Sequence, residues 1–519
     1  MTIGTKLLPL LLISTFSFAA PIEDAPQRNS ALDHLRYSIM HDEPHKNLEK
    51  LKTYPDKTNY FYFLYSGNTL LTLANPRLAF TYYKIAYTKA SNNDEKKAAL
   101  FGITRCALWL EYYPEALNAF NELSLMPLTK EDQEVVNTGR VLSLTNTDYP
   151  RIAFRLFENS KTFNYPTSII AGTKAALAAG WGYKAKDIWE ANRPIIQQIP
   201  SQSYLDNQRT LVSWLIKQQT SKKSAGVDFY TSQDSANFKV QRESAFASYR
   251  LFGINSNTTV VGLKNQYFDP IILAKATIVS LRQDFLNIDD RLDINLTAAP
   301  AHITYRVNNE TSWNPFLWTG SMTYHLSDYW VFSAYNSNGL VETIPALQNK
   351  ILINTSEGSV FYHPYPKLYV RGSGFHNLFT NHNNRNGGAG AINYQLISEL
   401  GLFSELRYRG YHNSFYNDPN YFSPYRLQEG MLFLMFKRRL STTLTVYAEG
   451  GLGTQSILQA PTATTTNNQV FAYNLNLSKQ IGNVAELNLN GGYTQNAFSN
   501  FIGAYAQTYF GASIKFFLE

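Results

Sequence analysis

The chain contains one cysteine in 519 residues, Cys106, so no disulfide framework within the chain and no zinc cluster of the multi-cysteine kind supports it. No internal run of about 20 apolar residues occurs, which excludes membrane-spanning α-helices and leaves a β-barrel as the one way across a bilayer. Charged residues make up only 16%. The formal charge of +7 comes without dense Lys/Arg runs, and nucleic acid is discounted as a partner. His-Glu-x-x-His, a phosphate loop and a Gly-x-Ser-x-Gly elbow are all missing, so no enzymatic activity, cofactor or metal is expected. What is abundant is aromatic: 35 Tyr, 32 Phe and 7 Trp beside 29 Gly. The length exceeds one ordinary soluble domain, and two structural units are expected.

Lys6 precedes an apolar run over residues 7–18, followed by small residues, the order of a secretory signal. Cleavage after Ala19, with Ser17 at the −3 position, defines residues 1–19 as a signal peptide. A membrane anchor needs a longer span. No cysteine stands at the cleavage site, so attachment to a membrane has to come from the folded chain.

Residues 20–223 read as helical. Ala79 with Tyr83, Ala116 with Phe120, Ala153 with Phe157 and Ala185 with Trp189 repeat an Ala-aromatic pair at i, i+4, at intervals of 37, 37 and 32 residues. The small residue admits a neighbouring helix and the ring fills the gap. Pro76, Pro114 and Pro150 fall two or three residues before the repeating alanine, where a first-turn proline is tolerated. Gly67, Gly102, Gly139 and Gly172 lie near the first helix of each unit without constant spacing. The pattern resembles a degenerate tetratricopeptide array of about four units, a periplasmic scaffold with a concave surface for protein partners. The plainer reading is a generic helical bundle. His41, Asp42, Glu43, Pro44 and His45 invite a metal reading, but Pro44 interrupts the helix that would align the histidines, and a solvated turn is expected.

From residue 224 to 519 the period changes to two. Leu292, Ile294, Leu296 and Ala298 oppose Asp293, Asn295 and Thr297; Leu444, Val446 and Ala448 oppose Thr445, Tyr447 and Glu449; Leu487 and Leu489 oppose Glu486 and Asn488. A soluble sandwich shows the same alternation, but rarely at this length. A monomeric transmembrane antiparallel barrel of about 16 strands of ~10 residues fits, with apolar residues on lipid and polar residues in the lumen. Trp313, Trp318, Tyr329 and Trp330 are expected at interfacial girdles. Residues 377–388, 413–424 and 459–468, rich in Asn, Gly, Pro and Thr, are expected to be loops. The last strand, with Phe510, Ala512, Ile514 and Phe516 on one face, resembles the assembly signal of outer-membrane barrels, from which the extra Phe517, Leu518 and Glu519 depart.

Glu405, Leu406, Arg407, Tyr408, Arg409, Gly410 and Tyr411, followed by Asn417, Asp418, Pro419, Asn420, Tyr421, Phe422, Ser423, Pro424, Tyr425 and Arg426, resemble the late-barrel region of the bacterial cellulose-synthase outer-membrane subunit, in which a Tyr-aromatic-Ser-Pro segment joins two strands. The resemblance is close over about forty residues, while the order of signal, helical repeats and barrel matches over the whole chain. Poly-N-acetylglucosamine exporters share that order, and those exporters usually carry many more repeats. The resemblance implies export of an exopolysaccharide chain, with synthase components from the periplasm or inner membrane as partners. By alternation Asp293, Glu405, Arg407, Arg409, Tyr411, Tyr447, Glu449, Glu486, Asn488 and Lys515 line the lumen. Opposed charges and amides there would hydrogen-bond hydroxyls, and near charge balance points to a neutral or weakly charged polymer. The alternatives are polar residues that satisfy one another in a filled barrel, a carboxylate pair such as Glu405 and Glu449 doing glycoside chemistry, a translocator of surface proteins, and a loop-based adhesin or receptor.

Overall fold

A computed structural model describes residues 44–54, 56–160, 165–201, 203–235, 237–252, 255–268, 272–305, 311–495 and 506–518. The signal peptide and most of the His41 cluster lie outside them. Two compact units divide the chain, Met1–Ser213 and Trp214–Glu519.

The first unit is built of helical hairpins. After α1 (Pro44–Lys52) come α2 (Tyr60–Thr72) and α3 (Pro76–Lys89), α4 (Asn93–Trp109) and α5 (Tyr113–Leu123), α6 (Lys130–Asn146) and α7 (Pro150–Asn159), and α8 (Pro166–Ala178) and α9 (Gly182–Ala191). The short α10 (Arg193–Ile196) and α11 (Tyr204–Thr220) follow. Side chains of Asn59, Asn75, Asn92 and Thr129 accept from backbone amides at the starts of α2, α3, α4 and α6. Each hairpin turn contains one residue at positive φ, Ala74, Glu111, Asp148 and Gly180. The amide of the next residue then donates back over the helix end: Asn75 to Leu70, Tyr112 to Ala107, Tyr149 to Leu144 and Trp181 to Ala176, all at 2.8–2.9 Å. This left-handed closure satisfies carbonyls the helix leaves open. It recurs at the same intervals as the Ala-aromatic pairs, so a backbone device repeats in phase with a packing device. Ala79, Ala116, Ala153 and Ala185 are fully buried, and Tyr83, Phe120 and Phe157 nearly so; Trp189 is only half-buried.

The glycines that look irregular have a rule. A Cβ on Gly102 would stand 2.2 Å from the Tyr83 ring, on Gly139 2.1 Å from Phe120, and on Gly172 2.3 Å from Phe157. Each ring therefore presses on the bare backbone of the next hairpin's first helix. The relevant interval runs from ring to following glycine, not from glycine to glycine. No glycine lies within α11, which follows Trp189, and there the register ends.

In the second unit the strands form one antiparallel sheet: β1 (Lys223–Asp234), β2 (Lys239–Tyr249), β3 (Ser256–Phe268), β4 (Ile272–Ile288), β5 (Leu292–Tyr305), the short β6 (Thr311–Trp313), β7 (Phe316–His325), β8 (Trp330–Leu340), β9 (Leu352–Tyr365), β10 (Leu368–Phe379), β11 (Asn384–Ile397), β12 (Leu402–Asn413), β13 (Arg426–Ser441), β14 (Leu444–Leu458), β15 (Thr466–Ile481), β16 (Ala485–Thr494) and β17 (Gln507–Leu518). β1 pairs with both β2 and β17, so the sheet closes on itself; sixteen strands make the wall and β6 lies beside β5. Closure pairs the backbone groups that an open edge would leave bare in hydrocarbon.

Pairing carries one face consistently round the wall. Leu296, Leu406, Leu432, Leu434, Phe471 and Phe510 are exposed, and Leu452 is 71% exposed. Their sequence neighbours on the other face are Thr297, Arg407, Phe433, Ala472 and Gly511, with acids, amides and tyrosines along the same rows. Apolar outside and polar inside is the reverse of a soluble sandwich and the polarity a lipid-spanning barrel requires. Leu518 extends the outward row of Phe510, Ala512, Ile514 and Phe516, while Phe517 turns inward and meets Trp214 edge-on at 5.2 Å.

Three expectations need correction. Residues 377–388 are mostly strand, because β10 runs to Phe379 and β11 starts at Asn384; the glycines there pack in the wall rather than turn the chain. β15 begins at Thr466, so the predicted loop over 459–468 ends earlier. Trp313 packs with Ile303 and Tyr305 in an apolar cluster on the inner wall and faces away from lipid. Trp318 and Trp330 do lie on the outward rows, Trp330 stacked on Tyr362 at 4.1 Å.

Candidate functional site

The inner wall is the candidate site. All ten sequence-assigned lumen residues fall on the inward rows, but they form separate groups. Arg407 joins the largest: its Nη2 donates to Glu449 at 2.9 Å, its Nε to Glu405, and its guanidinium lies 3.9 Å over the Phe433 ring. Glu405 also accepts from Asn393 at 2.9 Å, and Glu449 from the Tyr447 hydroxyl at 2.6 Å. Register explains the assembly, since Asn393, Glu405, Phe433 and Gly451 stand opposite one another across β11 to β14. Gly451 carries no side chain, and a Cβ there would lie 2.5 Å from Phe433. The ring settles into that gap and bears the arginine. The carboxylates of Glu405 and Glu449 share one guanidinium as ion-pair partners.

Nearer the long-loop end, Arg409 lies 5.1 Å over Phe375 and Arg385 lies 4.5 Å over the buried Tyr411. At the opposite end Glu486 accepts from Ser478 and from Gln218 in the last turn of α11, both at 2.8 Å. Lys515, opposite Glu486 in register, lies 5.1 Å from the Phe517 ring, and Asn488 stands between Ser478 and Ser513. Asp293 belongs to another part of the wall, where it accepts from the Asn287 amide at 2.6 Å and meets His325 at 3.4 Å.

The Tyr-Phe-Ser-Pro segment lies in the loop between β12 and β13 and folds inward. Tyr421 stacks on Phe379 at 4.3 Å, and its hydroxyl joins Asn381 and Asn383, both at 3.1 Å. The Phe422 carbonyl accepts from Arg385 at 2.6 Å, the Pro424 carbonyl from Asn413 at 2.5 Å, and Ser423 Oγ from the Asp418 amide at 2.7 Å. Arg426 begins β13 opposite His412.

One feature of the mouth is not foreseen by strand alternation. Between β8 and β9 the chain makes a short helix, α12 (Ile344–Gln348), and folds into the barrel. Leu347 seats among Tyr267, Ala276, Ile278, Ala301 and Ile303 on the inner faces of β3 to β5. Glu342 pairs with Arg242 and accepts from the Tyr267 hydroxyl at 3.1 Å. Asn349 donates to Asn420 at 2.6 Å, so the 341–351 segment and the Tyr421 loop form one cap at the long-loop end. Its sequence signal is local: Thr343 caps the helix and Pro345 occupies its first turn, a helix start within a strand-period region.

No family model matches the chain, and no curated protein does. Among solved structures, a "bacterial polysaccharide outer membrane secretin" is 9% identical, with 58% of this chain and 99% of that one covered at TM-score 0.45. OccK11 of Pseudomonas aeruginosa is 8% identical, covering 57% and 95% at TM-score 0.33. PilF of Pseudomonas aeruginosa is 16% identical, covering 36% and 82% at TM-score 0.30. At such values the architecture, tetratricopeptide-like hairpins followed by a barrel, rests on this chain's own pairing and packing.

Proposed function

We propose that the chain is an outer-membrane pore that exports an exopolysaccharide, cellulose-like or otherwise neutral to weakly charged, without catalysing a reaction. The observation that carries this reading is the inner wall. Four of its arginines are matched in place, Arg407 with Glu405 and Glu449, Arg242 with Glu342, Arg282 with Asp284 at 2.9 Å and Arg371 with Glu357 at 3.6 Å; Arg385 and Arg409 lie against aromatic rings, and tyrosines stand among them. Matched charges give hydroxyl groups donors and acceptors without a net field that would trap a polyion. Short turns at the end where β1 starts and long loops at the other follow the periplasm-to-exterior order of outer-membrane barrels. On that reading the helical hairpins would stand in the periplasm, where their repeats would dock synthase or modifying components, and the cap would stand outside.

Deleting the gene should abolish secreted polymer while leaving surface proteins in place. Loss of particular surface proteins with polymer unchanged would overturn export of a glycan in favour of protein translocation. In planar bilayers the pore should discriminate weakly between small cations and anions, and strong anion selectivity would remove the neutral-polymer assignment.

A further inference from the structure

On the outward face, charge concentrates near the long-loop ends of β2 to β4. Lys264 stands opposite Thr277, and Lys275 opposite Gln266 and Thr304, so the two lysines are diagonal neighbours on adjacent strands, about 7–8 Å apart between their backbones. Gln241 continues the Lys275 row and Glu243 the Lys264 row, while Lys239 crowns the patch with its ammonium 5.8 Å from the Phe268 ring. Among the described residues neither Lys264 nor Lys275 makes an ion pair. Directly toward the barrel's middle the same face is oily: Val260, Val279, Leu281 and Leu296 are each about half exposed.

We propose that Lys264 and Lys275 form a binding site for the phosphates of an acylated glycolipid of the outer leaflet. The proposal rests on the outer-membrane reading above. A cation at the rim of the apolar band costs little, and an anionic lipid headgroup at that depth makes its place there favourable. The ligand must bring acyl chains for Val279, Leu281 and Leu296 and an anion one strand-row above them. A soluble acidic protein or the exported polymer cannot reach a face bordered by lipid, whereas a phosphorylated glycolipid supplies both parts. The amides of Gln241 and Gln266 add donors at phosphate height. Glu243, directly opposite Lys264 in register, repels an anion on the β2 side, so the site lies on the side of Lys264 that faces Lys275.

The test uses the full chain purified in detergent micelles, with diphosphorylated lipid A as probe, its dephosphorylated form and phosphatidylglycerol as comparisons, and bound lipid counted by native mass spectrometry. K264Q and K275Q should each weaken retention of the diphosphorylated form about fivefold. K479Q, which removes an outward lysine on β15 bonded to Thr443, should leave it unchanged. Equal retention of the dephosphorylated form or of phosphatidylglycerol, or an equal loss with K479Q, would overturn the site. Heat-modifiable gel migration separates the two readings: if no variant yields a folded, heat-modifiable form in micelles, the membrane barrel itself is wrong and this site falls with it.

Discussion

At the scale of single residues, the molecule uses missing side chains as seats for rings. Gly139→Ala would force the Phe120 ring out of a place where a Cβ would lie 2.1 Å away. Overpacking of this kind costs about 1–3 kcal/mol. The G139A, F120L pair should recover part of it, as thermal unfolding of both variants would show, and recovery failing to appear would deny the ring–glycine contact. Ala74 offers the opposite sign. Its φ of 58° is a conformation that costs an L residue about 1–2 kcal/mol, whereas glycine adopts it freely. After glycine's extra unfolded-state entropy, Ala74→Gly should stabilise by at most ~1 kcal/mol in the same measurement.

Arg407 is the residue on which the lumen network turns. Arg407→Leu leaves Glu405 and Glu449 facing each other without their shared cation. Removing one partner of a largely enclosed pair costs about 3–5 kcal/mol, reduced here by lumen water. It also adds net negative charge to the wall, so planar-bilayer selectivity should move toward cations. Adding E449Q alone to the variant restores the net charge and should cancel that move.

At the scale of elements, what could be read from sequence depended on period. The strands announced themselves because lipid on one side and water on the other impose alternation, and Glu405, Arg407, Arg409 and Tyr411 took their inward row from that alone. Residues 377–388 misled because glycine and asparagine usually mark turns; in this wall Gly387 instead makes room for Phe375 and Tyr411, from which a Cβ would lie 2.4 and 2.7 Å. The helical repeat was legible through its alanines and rings, while its glycines were not, since their partner sits one hairpin earlier in the chain. α12 escaped because a five-residue helix has too little length to show a period.

The buried tyrosines of the helical hairpins shift in one direction. Burial holds the Tyr60 and Tyr83 phenols above the ordinary tyrosine value, and Tyr204 is pushed up to about 12. A folded pKa above the unfolded value of about 10 means a contribution fully present below pH 10 and lost as pH rises toward and past 12. Helical circular dichroism should therefore hold through neutral pH and fall from about pH 10 upward, sooner in denaturant. Cys106 gives an independent reading of the same unit. It is fully buried and its thiol is raised by burial, so maleimide labelling at neutral pH should be negligible in the native chain and become complete only when the hairpins unfold.

At the scale of the whole barrel, the cap and the conduit make opposite demands. Leu347 buried among Tyr267, Ile278 and Ile303, together with the Glu342–Arg242 pair, holds the 341–351 segment inside the wall, whereas a polymer leaving by the long-loop end needs that space. Burying the one leucine contributes roughly 1.5–3 kcal/mol and a partly exposed ion pair less. Val341, Ala346 and Ile351 add a second buried cluster with Phe379 and Tyr421, so the segment is held at several points and a chain passing the long-loop end has to displace it. Leu347→Asp should unseat the cap and raise single-channel conductance. A disulfide between cysteines placed at Leu347 and Ile303, in a C106S background, should do the reverse: conductance and polymer secretion both fall under oxidation and return on reduction. If the locked barrel conducts and secretes as freely as the reduced one, the polymer does not pass the cap, and the route through the lumen would have to be abandoned.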